Sequence, residues 1–298
     1  MKNIFIQSFF DDISYYKHHF VNPEKCLQRM FYKRMGYELN LLNPQTYSEK
    51  LQWMKIHDHN PFYTKLVDKF EVKQYVSETI GSQYIIPTIA VWNRVCDIDF
   101  DKLPNQFVLK CTHDSGGLVI CKDRTSFDIS KARKILRKSL RRNFYYLGFE
   151  WPYKNVKPRI IAEMYMEDST VKELRDYKFF CFDGKVKALF IATERQKEGE
   201  DVKFDFFDED FNHLDLKQGH ENAIKTPEKP VCFEEMKKLA SILSKNIPQV
   251  RVDFYEVDGR IYFGEMTFFH HGGWTPFEPE EWDSIFGNWL NIPQRTTL

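Results

Sequence analysis

At 298 residues the chain is long enough for one large domain, or for two to three lobes, with a substantial core. It is 42% hydrophobic and 29% charged, as expected of a soluble globular protein, and 43 Lys+Arg against 43 Asp+Glu leaves no basic excess of the kind that marks a nucleic-acid binder. The opening MKNIFIQSFFDDIS is too short and too soon acidic for an export signal, and no apolar run approaches about 18 residues, so a cytoplasmic protein is expected. Six scattered cysteines without a CxxC then read as reduced thiols.

In chain order, residues 1–66 read as a helical, packing segment. Within it, Asn43 to Lys50 forms a turn leading into a helix whose apolar face carries Leu51, Met54 and Ile56, with Trp53 and Phe62 docking it. LVDKFEVKQYVSETI (66–80) predicts one amphipathic helix, its apolar side made by Leu66, Phe70, Val72, Val76 and Ile80 and its end set by Gly81. Strands are expected over 84–92, 106–112 and 117–122. The last two flank Thr112-His113-Asp114-Ser115-Gly116-Gly117, where hydroxyls and paired glycines let backbone N–H groups approach a phosphate. An ordinary tight turn is the alternative. Lys110 ends the apolar strand just before this loop, where it can pair with polyphosphate or snorkel from the strand edge.

Residues 128–145 predict a helix with a basic face: seven of the twelve residues from Lys131 to Arg142 are Lys or Arg. A solvated face is the ordinary reading, and an anionic glycan, phospholipid headgroups or nucleic acid is the alternative. Strand 159–166 enters a hinge at Glu163. Hairpins follow at 176–182/185–193, around Asp183-Gly184, and at 202–207/213–216, then a polar loop (223–229), a helix over 233–245, and a Pro-rich tail with a capping helix around Trp282, Ile285 and Trp289.

Between those last two elements lies RVDFYEVDGRIYFGEMTFFHHGG (251–273), which reads as a hairpin turning at Asp258-Gly259. A three-residue loop centred on Asp258 would set Asp253 opposite Phe263 and Arg251 opposite Glu265, gathering Arg251, Asp253 and Glu265 on one surface. Two carboxylates that close repel unless something positive lies between them. A hard divalent cation such as Mg2+ suits the site, and solvated surface charges are the alternative.

Taken in order, NPQTYSEKLQWMK, LVDKFEVKQYV, FVLKCTHDSGG, IIAEMYM, DYKFFCFDGK and RVDFYEVDGRIYFGEMTF resemble the ATP-grasp superfamily, and within it the TupA-like family named for teichuronopeptide biosynthesis. The resemblance covers roughly residues 30–292. It implies an α+β ATP-grasp fold of two lobes clamping a nucleotide: a helical N-terminal segment (1–66), a lid lobe (67–163) and a C-terminal lobe (164–298). It places Lys69 and Lys110 on the nucleotide phosphates, His113, Ser115, Gly116 and Gly117 over them, Glu163 and the backbone near Tyr165 at the adenine, and Asp176 or its neighbour Lys178 near ribose and phosphates. Lys178 and Arg195 are further cationic candidates. Asp253 and Glu265 would hold Mg2+. Thr267 stands where many relatives place Asn, which weakens a third metal ligand or leaves it to water. Arg251 would stabilise an acyl phosphate, and His270 or His271 would deprotonate an amine, with surface histidines as the alternative. The usual N-terminal substrate domain of the superfamily is not visible.

The implied function is an ADP-forming, ATP-dependent carboxylate–amine ligase of cell-surface polysaccharide (capsule) biosynthesis, joining an amino acid or amine to a uronic acid or glutamyl chain. The implied partners are a small-molecule or glycan substrate and an anionic or lipid-linked acceptor on the 131–142 helix, with no nucleic acid. A peripheral place at the inner membrane face follows from that acceptor. Two other readings stand beside it: a nucleotide-sugar glycosyltransferase, for which a DxD motif on a Rossmann-like domain is missing, and a non-catalytic binder of anionic polymer.

Overall fold

A computed structural model describes residues 21–169, 174–194 and 201–293. The chain divides into two compact units. Among the described residues the first takes 21–30, Lys55–Val72 and Ile86–Tyr165; the second takes Phe31–Met54, Lys73–Ile85 and the described residues from Met166 on. The described helices are α1 (Pro23–Met35), α2 (Tyr47–His57), α3 (Phe62–Val67), α4 (Glu71–Thr79), α5 (Ile129–Leu140), α6 (Tyr145–Gly148), α7 (Phe233–Leu243) and α8 (Glu281–Trp289). No described helix is long and apolar enough to cross a membrane, and all six cysteines are free thiols.

The first unit holds a four-stranded antiparallel sheet of β1 (Thr88–Trp92), β2 (Phe107–Cys111), β3 (Leu118–Cys121) and β4 (Ile160–Met164), in the order β1-β4-β2-β3. Period-two alternation decides its two faces. Phe107, Leu109, Cys111, Val119 and Cys121 are buried in one core with Ala132 and Leu136 of α5. Burying each large apolar side chain there contributes about 1.5–3 kcal/mol. The opposite face carries Val108 and Lys110 beside their cross-strand partners Ile120 and Leu118, and those two partners stay about half exposed. Asp128 starts α5 by accepting from the Lys131 amide at 2.8 Å.

The single helix expected over 66–80 is instead two. Asp68 leaves the helical region (ψ 113°), and its carboxylate accepts from the amides of Phe70 (2.9 Å) and Glu71 (3.3 Å), which caps α4. Arg159, just ahead of β4, fixes this break through ion pairs to Asp68 and Glu71, both at 2.7 Å. Phe62, expected to dock, is 40% exposed, whereas Trp53 is buried.

The second unit is built on a five-stranded antiparallel sheet of β5 (Asp176–Phe182), β6 (Lys185–Thr193), β7 (Lys203–Asp208), β8 (Val250–Val257) and β9 (Arg260–Thr267), in the order β7-β6-β5-β8-β9. Both faces of β5 are covered, so it is apolar almost throughout. Phe179 meets Phe233 of α7 (ring centroids 6.0 Å), while Phe180 meets Phe286 of α8 (5.2 Å). Helix α2 lies on the α8 side. It begins with reciprocal bonds: Thr46 Oγ1 accepts from the Glu49 amide (3.2 Å), and Glu49 Oε2 accepts from the Thr46 amide (3.1 Å). The segment 213–216, expected as a strand, makes only a single bridge, Phe207 to His213.

Candidate functional site

Two clusters, one in each unit, collect the residues singled out above. In the second unit, β8 and β9 turn through two residues, not three: Val257 pairs with Arg260, and both Asp258 (φ 50°) and Gly259 (φ 71°) are left-handed. Near the turn Phe254 faces Phe263. The register then shifts, so that Val252 faces Met266 and Arg251 faces Thr267. The expected pairs Asp253–Phe263 and Arg251–Glu265 are therefore corrected. The extra residue falls on β9 at Gly264–Glu265, where a Cβ on Gly264 would lie 3.1 Å from the Asp253 carbonyl oxygen. The bulge brings Glu265 back to the surface of Arg251 and Asp253, so the expected grouping forms by a different register.

Arg251 is the hub of that surface. Nε donates to Asp253 Oδ1 and Nη2 to Asp253 Oδ2, both at 2.7 Å. Nη2 also reaches Glu265 Oε1 (3.1 Å) and Thr267 Oγ1 (3.0 Å), and Nη1 donates to His270 Nδ1 (2.6 Å). Lys178, the cross-strand partner of Asp253 on β5, donates to Asp253 Oδ2 and lies 3.2 Å from Asp176 Oδ2. Arg251 also lies over the Phe190 ring at 5.6 Å. Burial lowers the Lys178 pKa despite the Asp253 charge. For Arg251 burial works the same way, but Asp253 and Glu265 outweigh it and the pKa ends raised. The charge expected between the carboxylates is thus present as two side chains.

Because a guanidinium only donates, His270 Nδ1 is the acceptor and a neutral ring carries its proton on Nε2, which is buried without a partner. Burial, then His271 and Arg251, hold His270 well below the ordinary histidine range; burial, then Arg251, push His271 down to about 4. His271 is left-handed (φ 49°), and its buried Nε2 also has no partner. Gln52 of α2 anchors this loop by donating to the carbonyls of Gly272 (3.1 Å) and Gly273 (2.8 Å).

Asp253, Glu265 and Thr267 offer oxygen donors alone, which fits a hard cation such as Mg2+. Among the described residues no three His, Cys, Asp or Glu side chains form a ready metal cage. Both Asp253 oxygens already accept from Arg251 or Lys178, and the Glu265 side chain is 39% exposed. A metal would therefore enter from the Glu265 side and share Asp253 with Lys178.

In the first unit, Lys110 of β2 and Glu163 of β4 form a largely buried ion pair at 2.7 Å on the face of the sheet opposite the core it shares with α5. Lys122 lies over the Tyr165 ring at 5.8 Å, and the buried Tyr165 hydroxyl has no partner among the described residues. The loop between β2 and β3 is fastened from behind. Asp114 Oδ2 accepts from Ser139 Oγ (2.6 Å) and Arg142 Nη2 (2.8 Å), and Oδ1 accepts from the Gly116 amide (3.2 Å). Burial pushes the Asp114 carboxyl up, but Arg142 and Ser139 outweigh it and hold it low. Lys69 Nζ donates to the Asp114 carbonyl at 3.1 Å. Ser115 and Gly116 are exposed, whereas a Cβ on Gly117 would collide with Ser139 Oγ.

His113 lies behind the loop. Its Nε2 lies 3.1 Å from the carbonyls of both Ser139 and Arg142 at the C-terminal end of α5, so the side chain is committed to that helix. Arg142, counted above in the basic face, is committed to Asp114 in the same way. The roles of Asp114, Ser139 and Arg142 escape a reading by local pattern, because Asp114 and its two partners are 25 and 28 residues apart. Arg195 lies outside the described residues.

A family model described as TupA-like ATPgrasp matches residues 49–291. Among solved structures the chain is similar to a D-alanine–D-alanine ligase from Bacillus anthracis complexed with ATP, at 16% identity over 68% of this chain and 54% of that one, with a TM-score of 0.39. It is also similar to the D-cycloserine synthetase DcsG (15%; 76% and 70% covered; TM-score 0.42) and to the ATP-grasp ligase PsnB, complexed with a phosphomimetic variant of its minimal precursor, Mg and ADP (8%; 83% and 62%; 0.44). The chain spans little more than half the length of the D-alanine–D-alanine ligases that it matches. A comparison with curated protein sequences gives no significant match.

Proposed function

The chain belongs to the TupA-like ATP-grasp family, and from that premise we propose an ADP-forming carboxylate–amine ligase that works through an acyl phosphate. The substrates we propose are an amino acid or amine and a uronic acid or glutamyl chain, in cell-surface polysaccharide synthesis. The observation that carries the reading is the Arg251 hub, a buried guanidinium paired with Asp253 and Glu265, beside Lys178, which pairs with the same Asp253. Phosphoryl transfer asks a protein mainly for positioning and charge neutralisation, which Lys and Arg supply without a nucleophile.

In this reading Arg251 steadies the transferring phosphoryl group and the acyl phosphate, and Lys178 shares that charge. Lys69, Lys110, Asp176, Glu163, Tyr165 and the Ser115–Gly117 backbone receive the nucleotide. His113 supports the loop from behind, so its part is indirect. Mg2+, held by Asp253, Glu265 and Thr267, would neutralise phosphate charge. A His271 pKa of about 4 leaves one ring nitrogen unprotonated at neutral pH, and that nitrogen can accept the amine proton as a weak base.

Mg-ATP is expected to raise the melting temperature, by about 2.7 kcal/mol of stabilisation at a hundred times Kd. A shift with nucleotide sugars and none with Mg-ATP would point to glycosyl transfer instead. Asp114→Asn is expected to raise the ATP KM about tenfold with kcat nearly held, because the loop loses its fastening while the hub is untouched. Arg142→Lys should recover part of the ATP affinity lost in Arg142→Ala. An unchanged ATP KM in Asp114→Asn would separate the loop from nucleotide binding. The remaining α5 face suits an anionic or lipid-linked acceptor. Changing Arg137, Lys138 and Arg141 to Gln should then raise the acceptor KM and leave the ATP KM alone, and an unmoved acceptor KM returns that face to solvent.

A further inference from the structure

Three imidazoles of the second unit stand in series from the hub toward solvent. Arg251 donates to His270, the His270 and His271 rings lie 4.2 Å apart, and the His220 ring lies 6.1 Å from that of His271, tilted 30° to it. His220 is held firmly. Its Nδ1 lies 3.1 Å from the Val202 carbonyl, which only accepts, so in a neutral ring Nδ1 carries the proton and Nε2 keeps its lone pair. The ring packs on Phe204 (centroids 4.2 Å), and the next two residues bond the Phe204 backbone, the Glu221 carbonyl at 3.0 Å and Asn222 Nδ2 at 2.8 Å. His220 also lines a concavity of about 410 Å3 with Asp201, Lys203, Lys217, Glu221 and Glu278. These charges are mixed, and Lys217 pairs with Glu221 at 2.5 Å, so the hollow selects no ligand by charge. What it gives the half-buried His220 is access to solvent. Gly219 (φ 72°) borders His271: a Cβ there would lie 3.8 Å from His271 Nε2, so that nitrogen faces the segment that carries His220.

We propose that His220 is the exit for the proton that the amine gives up, relayed from His271 to the solvent of this concavity. The inference rests on the ligase reading and adds a step to it. When the amine attacks the acyl phosphate, its nitrogen bonds the acyl carbon. The bond from that carbon to the phosphate oxygen breaks, phosphate takes the electron pair, and one N–H proton must leave. His271 is too weak a base to keep that proton at neutral pH, its pKa being pushed down to about 4 by burial and then by Arg251. His270 cannot take it, because its accepting nitrogen is filled by Arg251. An imidazole that gains a proton at one nitrogen releases one from the other. The His271 nitrogen on the Gly219 side is the buried Nε2, which has no partner among the described residues. A single water spans rings 6.1 Å apart, since each of its hydrogen bonds covers about 2.8 Å. A side chain at Gly219 would take that water's place. The lone pair of His220 Nε2 then accepts the proton, and the ring returns it to water in the concavity.

The test separates the two half-reactions in the full-length protein with ATP, Mg2+ and galacturonate or oligoglutamate, using hydroxylamine to trap the acyl phosphate and L-alanine as the amine. His220→Ala is expected to slow amide formation about a hundredfold while hydroxamate forms within about twofold of the wild-type rate, and imidazole in the buffer should restore the amide through the open concavity. His220→Asn keeps an N–H for the Val202 carbonyl but supplies no base, so it should melt as the wild type does and be as slow as His220→Ala. Full activity in His220→Asn, equal loss of hydroxamate and amide in His220→Ala, or no rescue by imidazole would each overturn the relay. Nitrogen NMR of the histidine rings reads the geometry without turnover. At mildly alkaline pH His220 is expected to carry its proton on Nδ1, and the opposite tautomer would also overturn the relay. Wild-type protein that makes no hydroxamate would instead count against the ligase reading, with the His220 tautomer unaffected.

Discussion

Asp253→Asn is expected to reduce turnover at least about a hundredfold and to destabilise the nucleotide-free protein as well. The two effects have separate causes. An amide keeps an oxygen for a metal or a donor but loses the charge that sets the electrostatics of the hub. Stability falls because Asp253 is fully buried and its oxygens accept from Arg251 and Lys178. Removing its charge leaves two buried cations undercompensated, a loss of about 3–5 kcal/mol by analogy with other broken buried pairs. Clustered carboxylates read from sequence suggest the reverse, since deleting one of two like charges relieves repulsion. That expectation fails because the neutralising partners are built in. Glu265→Gln should divide the effects: its side chain is 39% exposed, so turnover falls comparably while stability changes by less than about 1 kcal/mol. Urea titration beside ADP release measures both quantities. Wild-type turnover in either variant would make these residues structural charges.

Arg251→Ala should leave ATP binding measurable while acyl phosphate formation falls about a thousandfold. The guanidinium is the one group among the described residues that touches Asp253, Glu265, Thr267 and His270 together. Arg251→Lys should not restore activity. An ammonium is a compact point charge and cannot present the planar fork that meets both Asp253 oxygens at 2.7 Å. Equal loss of ATP affinity and of turnover would place Arg251 on the nucleotide instead. Full rescue by Lys would show that charge alone suffices.

What sequence could show of this molecule follows the range of the forces involved. The β5/β6 hairpin around Asp183-Gly184 has the bounds expected, because turn chemistry and alternation are local. The break at Asp68 was hidden because apolar spacing continues through it; the long-range ion pairs from Arg159 hold it open. The β8/β9 register could not be read because a bulge at Gly264–Glu265 adds a residue that no local pattern marks, although the faces of Arg251, Asp253 and Glu265 were correctly grouped. His113 stood in a loop whose composition suggested phosphate contact, yet its partners are carbonyls 26 and 29 residues away. His270 shows the same limit: a pair of histidines after a strand gives no sign that one of them accepts a bond from Arg251.

The most direct test of the central claim is trapping with hydroxylamine. The protein is incubated with ATP, Mg2+ and single members of a panel of uronic acids and glutamyl oligomers, and ADP and hydroxamate are quantified together. A carboxylate-dependent hydroxamate formed in step with ADP, and lost in Asp253→Asn and Arg251→Ala, is the expected result. ADP release that ignores the carboxylate, or hydroxamate formation that persists in both variants, would contradict an acyl phosphate made at the Arg251 hub.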